Sequence, residues 1–208
     1  MALRPVPLAM KMRKSTSREW VGWVEVQKVA VRVWFDGDLP AAIEVVNRFL
    51  AENPPLDLQR QALGFRGSLE QERGDLQAAR SDFLAARGLS EHADFERCTL
   101  EEAAAAASLQ LGDLPQAERL YLEALKTAAS DPRTSGGGVV LSLLKLRGES
   151  GLSEEERTLA EKVIRQSWHL LRVEGEPDLI DLASTAQRVI EAQAGPFSAE
   201  KPPTPKAF

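Results

Sequence analysis

The 208-residue sequence is poor in the residues that usually perform chemistry: it has one cysteine, Cys98, and two histidines, His92 and His169. A single cysteine excludes an internal disulfide, and neither histidine has a second ligand at the spacing of a metal site. No nucleophile, base and orienting group stand at the spacing that a catalytic site needs. We therefore expect a protein that is not an enzyme and uses no metal or cofactor.

Long hydrophobic runs are also missing. No apolar stretch approaches the ~20 residues of a membrane-spanning helix. The one apolar segment near the start, 6–10, is broken at Pro7 and is too short for a signal peptide. These absences predict a cytoplasmic protein with no membrane insertion. The excess of Arg over Lys and the abundance of Ala are typical of a GC-rich bacterial genome.

The charge is unevenly distributed along the chain. Residues 1–18 carry five Lys or Arg and no acid, whereas the whole chain has a formal net charge of −5, so the remainder is strongly acidic. An acidic body repels nucleic acid, which disfavours that class of partner. We expect residues 1–18 to be a basic disordered arm. A regulator that uses this arm on nucleic acid stays open as an alternative.

One unit is present in three copies. Gly-Asp-Leu begins at Gly37, Gly74 and Gly112, at intervals of 37 and 38 residues. In each copy the Gly is expected to end one helix in a left-handed conformation, and the Asp to cap the next helix. Each copy also keeps a small residue seven places before the Gly and an Ala five places after it, so each is predicted to be an antiparallel helix hairpin; these residues are Ala30, Ala42, Gly67, Ala79, Ala105 and Ala117.

The Val-rich segment 24–33 has two candidate structures. Its alternation fits a strand, and β-branched residues are mediocre helix formers. However, five apolar residues in this segment and at its two ends recur at helical spacing and would lie on one face of a helix. They are Trp23, Val26, Ala30, Val33 and Trp34. The position of this segment before the first Gly-Asp therefore favours a helix.

The repeat resembles the tetratricopeptide repeat, whose units of about 34 residues stack into a right-handed superhelix. The resemblance covers roughly residues 20–129 and implies an all-α protein, a right-handed α-solenoid of antiparallel helix hairpins with C-terminal capping helices. We expect three hairpins over 19–130, a Gly-rich joint over 131–138, a degenerate hairpin and capping helix over 139–195, and a Pro-rich disordered tail over 196–208. Glu101 departs from the family pattern, which usually has a large apolar residue there.

In this family the first helix of each hairpin lines a concave groove that binds protein segments. The resemblance implies nine groove positions in this chain: Gln27, Val31, Trp34, Phe35, Ser68, Gln71, Glu102, Ala106 and Gln110. None is the Lys, Arg or Asn with which some members clamp acidic peptides. An apolar-to-neutral groove suits an extended or helical segment with Leu or Phe anchors. The sequence thus predicts a non-catalytic adaptor or scaffold for a protein or peptide, although Val31 and Trp34 could instead pack against the next repeat.

Two further interpretations stay open. An acidic cluster could stabilise a helix start through the helix dipole, or it could bind a basic toxin or secreted protein, which would make the chain a neutraliser or chaperone; its members are Glu91, Asp94, Glu96, Glu101 and Glu102. Trp20 and Trp23, placed on the outer face of the first repeat, would favour a homodimer.

Overall fold

The computed structural model describes residues 16–90, 95–131, 134, 136–148, 151–174, 184–188 and 190. All regular structure in these ranges is helical, and residues 184–188 are helical as well. The chain divides into two compact units, Met1–Ser90 (unit 1) and Glu91–Phe208 (unit 2). The helices are α1 (Ser17–Phe35), α2 (Leu39–Ala51), α3 (Leu56–Arg73), α4 (Leu76–Gly88), α5 (Phe95–Gln110), α6 (Leu114–Ser130), α7 (Gly137–Arg147) and α8 (Glu154–Glu174).

The three Gly-Asp junctions have the predicted geometry. Gly37, Gly74 and Gly112 have φ of 88°, 85° and 77°, a conformation that glycine adopts without steric cost. The Asp after each Gly is the N-cap of the following helix, and its carboxylate accepts a hydrogen bond from the backbone N–H three residues on, at 3.0, 3.1 and 3.3 Å. Helix pairs α1–α2, α3–α4 and α5–α6 follow as hairpins.

The core of unit 1 is built around one aromatic cluster. Trp23 is 1% exposed, and its ring centroid lies 4.9 Å from that of Phe49 and 6.1 Å from that of Phe65. Ala30, one of the predicted small residues, is fully buried on the same face of α1. The helical interpretation of the Val-rich segment is therefore confirmed, although Trp23 belongs to the core and not to an outer face.

The second hairpin of unit 1 is held to the first by a close approach and a polar link. A Cβ on Gly67 would lie 2.7 Å from the Phe83 ring, so this position allows α3 and α4 to approach. Arg66 of α3 donates two hydrogen bonds to Asp82 of α4, at 2.7 and 2.6 Å, and a third to Asn47 of α2, at 2.7 Å. This half-buried guanidinium therefore joins three helices.

Unit 2 follows α5 and α6 with α7 and α8. The glycines expected to form a joint lie at the start of α7, which begins at Gly137, two residues before the predicted boundary. A Cβ on Gly136 would lie 2.6 Å from Val163 Cγ1 and 2.9 Å from Ala128 Cβ. Gly136 is thus a site of tight packing on α6 and α8.

Helix α8 begins with a capping box. The backbone N–H of Ser153 donates to the Glu156 carboxylate at 2.8 Å, and the Glu156 N–H donates to the Ser153 hydroxyl at 3.3 Å. Arg147, in the last turn of α7, forms ion pairs with Glu118 of α6 at 2.6 Å and with Glu156 at 2.9 Å. These contacts fix α7 and α8 on α6.

The two chain ends lie largely outside the described residues. The structure does not describe residues 1–15 of the predicted arm or the predicted tail 196–208. Helix α1 begins at Ser17, inside the predicted arm, with Thr16 as N-cap and Glu19 completing a capping box. No helix in the described ranges combines the length and the apolar character needed to cross a membrane.

Candidate functional site

An apolar stripe runs along the exposed side of α1. We define the α1 stripe as Trp20, Val24, Val31 and Phe35, whose spacing of four, seven and four residues keeps them on one side of a helix. Trp20 is 39% exposed, Val24 41% and Phe35 79%, and Val31 is half-buried. The stripe therefore forms an accessible surface on a helix whose buried side, with Trp23 and Ala30, is anchored in the core.

Trp34 connects this surface to the core. Its side chain is partly buried against the hydrophobic core of unit 1, and its ring stacks on Phe35 with centroids 5.5 Å apart and planes 25° apart. Trp34 therefore packs within unit 1, whereas Phe35 is the member that a partner could bury. Gln27, half-buried, flanks the stripe.

The predicted groove positions of α3 have a different character. Ser68 is exposed, and its hydroxyl donates a hydrogen bond to the Gly64 carbonyl at 3.2 Å. Gln71 is half-buried. In unit 1 the apolar character that favours protein binding is thus concentrated on α1.

In unit 2 the predicted groove position Glu102 faces another helix. A Cβ on Gly138 would lie 2.8 Å from Glu102 Oε1, so the carboxylate lies against the first turn of α7. Burial raises the pKa of Glu102. Ala106 is half-buried and Gln110 is exposed. The α5 face is therefore covered from within the unit at Glu102.

The nine predicted positions thus fall into two sets in different units. Those of α1 and α3 share unit 1, and Glu102, Ala106 and Gln110 belong to unit 2. The predicted groove positions omit Trp20 and Val24, which complete the exposed stripe, although Trp20 is expected on the outer face of the first repeat. The signal that could have found them is their spacing from Val31 and Phe35 on one side of a helix.

Among the described members of the acidic cluster, Glu101 lies inside the protein. Glu101 is 0% exposed and accepts hydrogen bonds from the Thr127 hydroxyl at 2.7 Å and from Arg97 Nε at 3.0 Å. Glu91 and Asp94 lie outside the described residues. Glu101 therefore joins α5 to α6 from inside, at the place where the repeat family usually has an apolar side chain.

Cys98 is a buried packing residue. It is 2% exposed, and its Sγ lies 3.5 Å from the Ala124 carbonyl oxygen. Burial, with added repulsion from Glu102 and Glu101, raises the pKa of the thiol to about 12. The thiol is protonated at neutral pH, which makes it a poor nucleophile. Neither histidine side chain is among those described, and the residues that are described contain no group of three metal-binding side chains.

Comparison with solved structures identifies the fold. The chain is similar to the crystal structure of BtubC (BKLC) from P. vanneervenii, with a TM-score of 0.58 and 16% identity over 88% of this chain and 85% of BtubC. TPR-like repeats of a candidate kinesin light chain from Podosopora anserina align with a TM-score of 0.45 and 12% identity over 86% and 98% of the two chains. Neither a protein-family model nor a curated protein sequence matches this chain.

At 16% sequence identity, the similarity to BtubC shows the fold alone. Together with the repeated hairpins and their Gly-Asp junctions, this similarity confirms a tetratricopeptide-like, all-α solenoid fold. Helical-repeat proteins of this type generally serve as scaffolds for protein interaction.

Proposed function

We propose that this chain is a non-catalytic, cytoplasmic scaffold of bacterial origin that binds a protein through the α1 stripe. The observation that carries the proposal is the Trp34–Phe35 stack, in which a ring that is 79% exposed rests on a ring packed against the core. Aromatic side chains held in place by their own protein are typical binding hot spots, because little side-chain freedom is lost when they are buried.

The shape and chemistry of the stripe define the class of partner. From Trp20 to Phe35 the stripe extends about 22 Å along the helix, which matches about four turns of a partner helix or a short extended segment. Its apolar side chains favour a partner with Leu, Phe or similar anchors. The acidic neutraliser has less support, because Glu101, a central member of its cluster, is fully buried.

The test is capture of a partner from native lysate with tagged full-length protein, washed at low and high salt and analysed by mass spectrometry. Binding through buried apolar anchors resists salt, whereas binding through surface charges weakens steeply. We expect a protein that survives high salt. A partner that is lost at high salt would instead favour an acidic contact surface.

Phe35→Glu is the variant that tests the site. It places a charge at the most exposed ring, and its expected effect is loss of the captured protein. Val29→Glu is the matched control, since Val29 is 50% exposed on the same helix and lies away from the stripe. Equal capture by both variants would contradict the assignment. Trp34 is unsuitable for this purpose, because its truncation would also disturb the core.

A further inference from the structure

The α1 stripe is symmetric along the helix. Trp20 and Phe35 stand equally far from the step between residues 27 and 28, and so do Val24 and Val31. Reversing the helix direction therefore brings the pattern onto itself, with a large aromatic residue at each end and a valine on each side of the centre. Binding an unrelated partner does not require this symmetry.

We propose that the partner of the α1 stripe is a second copy of this chain, paired antiparallel through α1 about a twofold axis at the step between residues 27 and 28. The inference rests on the proposed function, since it names the partner of the same face. In a twofold interface, residue i contacts residue j and residue j contacts residue i. Trp20 of each copy thus meets Phe35 of the other, and Val24 of each meets Val31.

The charges beside the stripe select the antiparallel direction. Glu25, Lys28 and Arg32 lie on the same flank of the stripe at helical spacing. In the antiparallel register, residue 25 of one copy stands opposite residue 30 of the other, so Glu25 falls between Lys28 and Arg32. Glu25 and Lys28 are paired within the chain at 2.8 Å but are 61% and 66% exposed, which allows them to exchange partners. In a parallel pair the two copies of this flank would lie on opposite sides of the interface, and these charges would not meet.

The same register places an aromatic contact at each end of the interface. Val21, 62% exposed, lies beside the stripe on the flank of Glu25 and Lys28. Each end of the interface then contains one Trp20 ring against one Phe35 ring, a pair whose geometry favours offset or edge contacts. The interface has two equal aromatic anchors.

The first measurement is the mass of the full-length protein by analytical ultracentrifugation over a concentration series. We expect the mass to rise from that of one 22.8 kDa chain toward twice that value. Val24→Lys and Val31→Glu should each raise the dimer dissociation constant about tenfold or more, because each buries an unpaired charge at two symmetric places. Circular dichroism should show unchanged helix content in both variants.

Mixing the two variants tests the register itself. In the mixed dimer the introduced lysine of one copy opposes the introduced carboxylate of the other, and the second contact pairs two unchanged valines. We therefore expect the mixture to associate about tenfold more tightly than either variant alone. Val29→Glu, off the stripe, should associate as the unchanged protein does. Failure of the mixture to recover, or equal weakening by Val29→Glu, would overturn the proposed pairing.

The two proposals fail in different ways. A chain that is monomeric at every concentration, yet captures another protein in a Phe35-dependent manner, would overturn the second copy as partner and leave the proposed function standing. A chain that neither self-associates nor captures a protein would overturn both.

Discussion

Helices α1 and α5 occupy the same place in their hairpins and present opposite surfaces. Both bury the small residue of the repeat, since Ala30 and Ala105 are fully buried. The outward side of α1 is apolar and exposed, whereas α5 places Glu102 under the first turn of α7. The repeat pattern thus determines which side of a first helix faces its own hairpin. Whether the other side becomes a surface depends on the elements that follow.

The interiors of the two units differ in a related way. Unit 1 fills its core with the rings of Trp23, Phe49 and Phe65. Unit 2 packs small side chains on α5 and buries the polar pair Glu101 and Thr127 between α5 and α6. Unit 1 should therefore be sensitive to loss of volume, and unit 2 to added volume and to charge.

The largest effect is expected for Trp23→Ala. Removing a fully buried aromatic side chain should lower the free energy of unfolding by about 3–5 kcal/mol, measured by urea denaturation. Hydrogen exchange should show the loss of protection in unit 1, with the α5–α6 amides unchanged. Val29→Ala, at a side chain that is 50% exposed and off the stripe, is the control and should cost less than about 1 kcal/mol. Similar losses for the two variants would show that Trp23 is not the centre of this core.

Gly136→Ala should have the next largest effect, in unit 2. The added methyl group would overlap Val163 and Ala128, and overpacking of this kind costs about 1–3 kcal/mol. Gly22→Ala is the matched control: nothing lies within 4 Å of its Cβ position in α1, so the higher helix propensity of alanine should add about 0.5–1 kcal/mol. Thermal denaturation of the two variants should therefore shift in opposite directions. A tolerated Gly136→Ala would show that α7 does not pack tightly at its start.

The smallest effect is expected for Glu102→Gln, and it depends on pH. Burial raises the pKa of Glu102 above the ordinary value of 4.5, so the folded state binds this proton more tightly than the unfolded state, and stability falls as the pH rises through the folded pKa. Glutamine should abolish that fall and leave the protein at least as stable as the unchanged chain at neutral pH. The measurement is urea denaturation from pH 4 to pH 7.

Glu156→Gln is the control, because the pKa of Glu156 is shifted in the opposite direction from that of Glu102. Burial, which alone would raise the pKa of Glu156, is outweighed by hydrogen bonds from Ser153 and by the charge of Arg147, so its pKa is lowered. Its stabilising contribution is present above about pH 4.5 and is lost as the pH falls through the folded pKa. Glutamine there should lower stability at neutral pH. The same response in both variants would contradict the different surroundings of the two carboxylates.

Local chemistry accounts for what the sequence predicts well. Gly37 and Asp38 specify a helix end and a helix start within two residues, so the hairpins are readable from the chain alone. Glu101 and Glu102 are not readable in this way, because Thr127 and Gly138, which lie against them, are distant in sequence. The glycines at the start of α7 have the composition of a flexible joint. The packing of Gly136 against Val163 and Ala128 is visible only in the structure. Trp20 and Val24 lie outside the groove positions that the repeat pattern implies, because that pattern describes only the side of a first helix that lines a groove.

The Arg66 link in unit 1 has a consequence for how the two hairpins melt. In a linear repeat array, stability is a sum of the intrinsic terms of the repeats and the coupling between neighbours. Arg66 donates to Asn47 of one hairpin and to Asp82 of the next, so opening either hairpin leaves a half-buried cation with fewer acceptors. That coupling favours a single cooperative transition for residues 17–88 over fraying of the first hairpin alone, and it keeps α1 folded for as long as α3 and α4 are.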